Sequence, residues 1–101
     1  MALKLSQDYE YKGEDLWEWS VWVDGPQREL DQIKYVEYTL HPTFPRPVRR
    51  IFDRSSGFRL ETAGWGQFKI FAKIVHDSGE ETRLEHFLQL AYPADGNIAP
   101  A

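Results

Sequence analysis

Period-two alternation of apolar and polar residues runs through this chain, and nothing repeats at helical spacing for long. Trp17, Trp19, Val21 and Val23 alternate with Glu18, Ser20, Trp22 and Asp24, and Asp24-Gly25-Pro26 stops the run. That is a strand followed by a turn. Before it, Leu3, Leu5, Tyr9 and Tyr11 share one face opposite lysines and acids, the pattern of a half-exposed strand at an edge. A polar loop is expected over residues 27–32, then a strand over 33–40 with Val36, Tyr38 and Leu40 on one face. Pro42, Pro45 and Pro47 follow; proline cannot supply the N–H of a central strand, so this stretch reads as an extended loop. Weak strand character returns over 48–53, and Phe58, Leu60 and Thr62 give a short strand. Ala63-Gly64-Trp65-Gly66 is a turn. Phe68, Ile70, Ala72 and Ile74 mark a long strand, Asp77-Ser78-Gly79 a hairpin turn, and residues 82–90 a last strand. Seven to eight short antiparallel strands in 101 residues imply one all-β sandwich of immunoglobulin-like type. The domain is expected over residues 1–92, with 93–101 a flexible tail or the start of a linker.

Charge and composition narrow what such a sandwich does. Twelve Lys+Arg against 16 Asp+Glu leave a net charge of −4, the opposite of a protein that binds nucleic acid by neutralising phosphates. Without cysteine there are no disulfides and no thiolate zinc sites. Apolar runs reach only three residues, as at Ile70–Ala72 and Leu90–Tyr92, too short for a membrane span or the core of a signal peptide. The expectation is a cytoplasmic protein. Fifteen residues are aromatic, four of them Trp, and aromatic rings fill cores or build binding platforms.

Catalytic signatures are missing. The chain holds no Gly-rich phosphate loop, no His-Glu-x-x-His and no Gly-x-Ser-x-Gly, so it reads as a non-enzyme without a cofactor. His41, His76 and His86 lie in three segments that a sandwich is able to bring together. Three-histidine metal binding is thus left open beside the commoner structural role, and no metal site is assigned. The pair Glu80-Glu81 flanks a hairpin turn and reads as solvated.

Two loops carry aromatic residues. In His41-Pro42-Thr43-Phe44-Pro45-Arg46-Pro47, the prolines stiffen the backbone on both sides of Thr43-Phe44. In Gly64-Trp65-Gly66, the largest side chain stands between two residues that permit positive φ and close approach. Phe44 and Trp65 either cap the end of the core or face each other across a groove. The Pro42-x-x-Pro45 spacing also fits a polyproline ligand, against which the flanking strands argue.

The combination Trp19-x-Val21-Trp22-Val23-x-Gly25-Pro26, Val36-x-Tyr38-x-Leu40-His41-Pro42-Thr43-Phe44-Pro45-x-Pro47 and Gly64-Trp65-Gly66-Gln67-Phe68 resembles the YEATS domain family, in its prokaryotic branch. YEATS domains read acylated lysine, crotonyl-lysine among others. The resemblance implies an acyl-lysine slot formed by His41, Thr43, Phe44, Gly64, Trp65 and Gly66. Phe44 and Trp65 would be its walls, Thr43 Oγ the acceptor for the amide N–H, and the Trp65 backbone N–H the donor to the acyl carbonyl. His41 would line the slot and orient the loop. Some members carry a further aromatic wall where this chain reads Gly13-Glu14-Asp15-Leu16, leaving Leu16 or Trp17 to stand in at the rim. Arg46, Arg49 and Arg50 form either a second part of the rim, anchoring an acidic ligand segment, or a solvated basic face. The expected partner is an acylated-lysine peptide or protein. Two other readings are a protein–protein interaction sandwich and a methyl-lysine cage.

Overall fold

The computed structural model describes residues 3–93. Seven strands form two antiparallel sheets. β1 (Lys4–Gly13), β2 (Leu16–Asp24) and β5 (Leu60–Gly64) make a three-stranded sheet in the order β1-β2-β5. β3 (Ile33–Thr39), β4 (Val48–Ile51), β6 (Lys69–His76) and β7 (Glu81–Phe87) make a four-stranded sheet in the order β4-β3-β6-β7. The chain is all-β in architecture, a sandwich of immunoglobulin-like type, and β1 is an edge strand. No helix among the described residues is long and apolar enough to cross a membrane.

Alternation translates directly into burial. Trp19, Val21 and Val23 of β2 face Val36 and Tyr38 of β3 and Ile70, Ala72 and Ile74 of β6 in one core, which Phe58, Leu60, Phe68 and Leu88 complete. Full burial of each large side chain contributes about 1.5–3 kcal/mol. Of the polar atoms in this core, the buried Trp19 Nε1 has no hydrogen-bond partner among the described residues, whereas the Tyr38 hydroxyl donates to the Phe58 carbonyl at 2.7 Å. Burial pushes the Tyr38 phenol well above its ordinary value. That bond ties β3 to the segment leading into β5, across the two sheets.

Two local expectations are corrected. Residues expected as a polar loop after Pro26 hold one helical turn, Gln27–Leu30, closed by Asp31 N–H donating to the Gln27 carbonyl. Gln27 Nε2 also donates to Asp31 Oδ1 at 2.9 Å, a four-residue spacing that only a helical turn brings together. The region expected as a strand over 48–53 pairs only over Val48–Ile51 and then turns into a short 3₁₀ segment, Arg54–Ser56. There Asp53 caps the turn by accepting from the Ser55 N–H. The expected tail beyond residue 93 lies outside the described residues.

Strand directions place the β1–β2, β3–β4 and β5–β6 connections at the same end of the sandwich. Trp17 pairs with Gly64, Thr39 with both Val48 and Phe71, and Lys69 with Phe87. Those pairs are the last rungs before the three loops, so the two aromatic loops and the first hairpin meet over one end of the core.

Candidate functional site

A cavity of about 390 Å³ opens at that end, lined by Leu16 from the first hairpin, His41, Thr43, Phe44 and Pro45 from the β3–β4 loop, and Ala63 to Phe68 from the β5–β6 connection. The β3–β4 loop is a compact turn: Phe44 N–H donates to the His41 carbonyl at 3.0 Å, and Leu40 N–H to the Pro47 carbonyl at 2.7 Å. A folded turn of this kind is unsuited to polyproline presentation. Phe44 is half-buried. Its ring rests on Phe68 at 5.3 Å and meets Trp19 nearly edge-on at 6.2 Å, while its free side lines the cavity. Trp65 is 74% exposed, and among the described residues no ring pair includes it. The two aromatics therefore combine the readings left open by the sequence. Phe44 packs against the core and lines the cavity; Trp65 stands on the open wall.

Glycine has a different role at each end of Gly64-Trp65-Gly66. Neither glycine adopts positive φ. Gly64 lies directly against the Phe44 ring and the Trp19 indole, where a side chain would intrude. Gly66 faces open space, and nothing around it demands glycine.

The hydroxyl of Thr43 is oriented by its neighbour. Thr43 N–H donates to His41 Nδ1 at 3.2 Å, and Thr43 Oγ lies 2.9 Å from the same nitrogen. A ring nitrogen that accepts from a backbone N–H carries no proton, so the neutral imidazole bears its hydrogen on Nε2. The Thr43 hydroxyl then donates to Nδ1 and keeps its lone pairs for the cavity. The site presents an acceptor between aromatic surfaces.

All six residues expected for the slot line this cavity, and Leu16 joins them. Trp17 does not. It is buried among Tyr11 and Tyr92, with Nε1 donating to the Ala91 carbonyl at 2.9 Å, because strand alternation points it away from Leu16's side. The three arginines separate. Arg49 braces the loop, Nε donating to the Arg46 carbonyl at 3.0 Å and Nη2 to the Pro45 carbonyl at 3.1 Å. Arg46 is exposed on the same loop with φ +51° and does not line the cavity. Arg50 belongs to the outer face of the four-stranded sheet, 3.0 Å from Glu37 Oε2 and over the Tyr35 ring. There its hydrogen bond, more than the neighbouring Lys73, holds the Glu37 carboxyl below its ordinary value. Arg50 is thus no part of a rim.

Pro45, Ala63, Gln67 and Phe68 line the cavity without having been singled out as site residues. Phe68, expected on a strand, lies just before β6 with its carbonyl accepting from Leu88 N–H, and from there its ring contributes to both the core and the cavity. Gln67 is held by its Oε1, which accepts from Leu90 N–H at 2.7 Å. The histidines do not converge: His76 Nε2 contacts Thr82 Oγ1, and His86 Nε2 contacts Gln7 Oε1. Among the described residues no group of three or more His, Cys, Asp or Glu is placed to hold a metal.

Comparison with known proteins agrees with this geometry. The family model of the prokaryotic YEATS domain matches residues 17–89. Protein AF-9 homolog of Saccharomyces cerevisiae is 43% identical over 77 residues, covering 71% of this chain and 33% of its own. Transcription initiation factor TFIID subunit 14 of Schizosaccharomyces pombe is 35% identical over 77 residues, 70% of this chain and 31% of its own. The chain spans about a third of the length of these curated relatives. Among solved structures, the Yaf9 YEATS domain bound to H3K27ac superposes with a TM-score of 0.66 at 29% identity, over 93% of this chain and 71% of that one. The Yaf9 YEATS domain recognizing an H3K122suc peptide gives a TM-score of 0.65 at 30% identity, over 88% and 69%. With its sandwich, its two aromatic loops and these matches, the chain belongs to the YEATS domain family.

Proposed function

We propose that this domain is a non-enzymatic binding module that reads acylated lysine, holding the acyl-amide between Phe44 and Trp65. The observation that carries the reading is the convergence of Phe44, Trp65, Thr43, His41 and Gly64 on one cavity of about 390 Å³. An acyl-lysine offers a neutral amide and a flat apolar tail. It needs aromatic walls, one acceptor and one donor. Thr43 Oγ, oriented by His41, accepts the amide N–H, and the Trp65 backbone N–H donates to the acyl carbonyl. That solved YEATS domains are bound to H3K27ac and recognize H3K122suc supports the same ligand class here.

Finer features follow from the same chemistry. A planar conjugated tail such as crotonyl stacks between rings better than a bare acetyl, so crotonyl-lysine is the preferred mark. Unmodified lysine is rejected, because its ammonium brings only donors and must be desolvated. Arg46, exposed beside the slot, favours an acidic residue next to the acyl-lysine. The partner is an acylated peptide or protein rather than nucleic acid or a membrane, and the setting is the cytoplasm of a prokaryotic cell. The test is a calorimetric titration of acetyl-, crotonyl-, trimethyl- and unmodified-lysine versions of one peptide. Crotonyl binding above acetyl, with no binding of the unmodified peptide, is the expected order. Equal binding of the acylated and unmodified peptides overturns the reading, and a preference for trimethyl-lysine replaces it with a methyl-lysine cage.

A further inference from the structure

The first hairpin reaches the cavity through a backbone that ordinary residues resist. Gly13, Glu14 and Asp15 all have positive φ, at 96°, 55° and 59°. Gly13 and Leu16 pair across a two-residue loop. Glu14 and Asp15 thus form a type I′ turn, which requires positive φ at both positions and is costlier for Glu and Asp than for the usual Asn or Gly. The next residue, Leu16, is 41% exposed and lines the cavity together with Phe44 and Trp65.

The ties that hold this turn in place come partly from the other end of the chain. The Tyr92 hydroxyl donates to Asp15 Oδ1. Asp15 N–H donates to the Tyr11 hydroxyl at 3.1 Å. The Tyr92 ring stands edge-on to Tyr11 at 5.2 Å and to Trp17 at 5.1 Å, and Tyr11 and Trp17 are 5.0 Å apart. Trp17 Nε1 is bonded to the Ala91 carbonyl, 74 residues away in sequence. Three rings from β1, β2 and the segment after β7 thus close into one cluster. Both polar ties on Asp15, from its amide to Tyr11 and from its carboxylate to Tyr92, run to that cluster. The Asp15 carboxylate in turn holds the Tyr92 phenol above its ordinary value.

We infer that Tyr92 and Asp15 are positioning residues: they fix Leu16 as the third wall of the slot and so set the width of acyl group it accepts. The inference rests on the acyl-lysine reading for its consequence, not for its geometry. Released from Tyr92, the turn of two non-glycine residues loses one of its two tertiary ties, Leu16 becomes mobile, and the slot loses its limit on the acyl tail. The hydroxyl alone is the latch, so Tyr92→Phe keeps the ring packing and the fold.

The experiment has a ligand-free arm and a binding arm. In NMR spectra of the free protein, Tyr92→Phe is expected to move the Leu16 methyl and amide signals while leaving those of the distant Ile33 and Ile74 in place. In titrations with acetyl-, crotonyl- and hexanoyl-lysine peptides, the wild type discriminates against the longest tail. Tyr92→Phe narrows that ratio by roughly fivefold, the worth of one net hydrogen bond. Leu16→Gly should produce the same narrowing, and Tyr92→Phe added to it should change nothing further. Unmoved Leu16 signals overturn the latch. An unchanged length ratio in Tyr92→Phe, with wild-type binding intact, overturns its role in selectivity. A wild type that binds no acylated peptide overturns the acyl-lysine reading and, with it, the selectivity role; the ligand-free arm then decides the latch alone.

Discussion

The ring of Phe44 packs tightly against the place where a side chain on Gly64 would begin: a Cβ there would lie 3.3 Å from Phe44 Cζ and 3.6 Å from Trp19 Nε1. The β3–β4 loop and the end of β5 therefore approach most closely when residue 64 has no side chain. Gly64→Ala forces Phe44 to give way by a few tenths of an ångström, toward the cavity it lines. Weaker acyl-peptide binding and a stability loss of about 1 kcal/mol are expected, whereas Gly66→Ala, with open space around it, should leave both unchanged. Paired denaturant melts and titrations of the two variants check the contrast.

Trp65 and Phe44 differ in what their loss removes. Trp65→Ala deletes a ring that is 74% exposed, so stability should stay within about 0.5 kcal/mol while acyl-lysine binding disappears. Phe44→Ala also takes a partner from Trp19 and Phe68, and should cost about 1–3 kcal/mol of stability as well as binding. Urea melts alongside calorimetry separate the two; a neutral Phe44→Ala would show that its core contacts contribute nothing.

Thr43 tests the acceptor. Thr43→Val preserves shape but leaves the ligand amide N–H unpaired, and binding should weaken by about 1–3 kcal/mol, roughly ten- to a hundredfold. Thr43→Ser keeps a hydroxyl within reach of His41 Nδ1 and should restore most of it. If valine binds as well as serine, the hydroxyl has no part in recognition.

His86 gives the fold a dependence on pH. Desolvation lowers its value below the ordinary 6.5, where it sits beside Gln7 Oε1 at the seam of the two sheets. A histidine depressed in the folded state binds fewer protons there than when unfolded. Its stabilising contribution is complete above 6.5 and is lost as pH falls through 6.5 toward the depressed value. Denaturant melts above and below this window should show the loss in the wild type and a flatter profile in His86→Gln.

The alternation of Trp17 to Val23, Val36 to Leu40 and Phe68 to Ile74 determined the strands, because a side-chain period of two on a half-buried sheet leaves each residue only one face. Val21, Val23, Val36, Tyr38, Leu60, Phe68 and Ile70 are all buried as that pattern requires. The two loops announced the cavity through residue types with few other uses: prolines bracketing Thr43-Phe44, and a tryptophan between glycines. What the alternation could not carry is where pairing ends. At a strand's first or last rung, the partners are loops distant in sequence. So Leu16 rather than Trp17 meets the cavity, Phe68 serves core and site together, and Arg50 turns to its neighbour Glu37 on β3 while Arg49 braces its own loop. The ties from Tyr92 to Asp15 and from Ala91 to Trp17 join residues more than seventy positions apart. Only the closure of the two sheets brings them within hydrogen-bonding range.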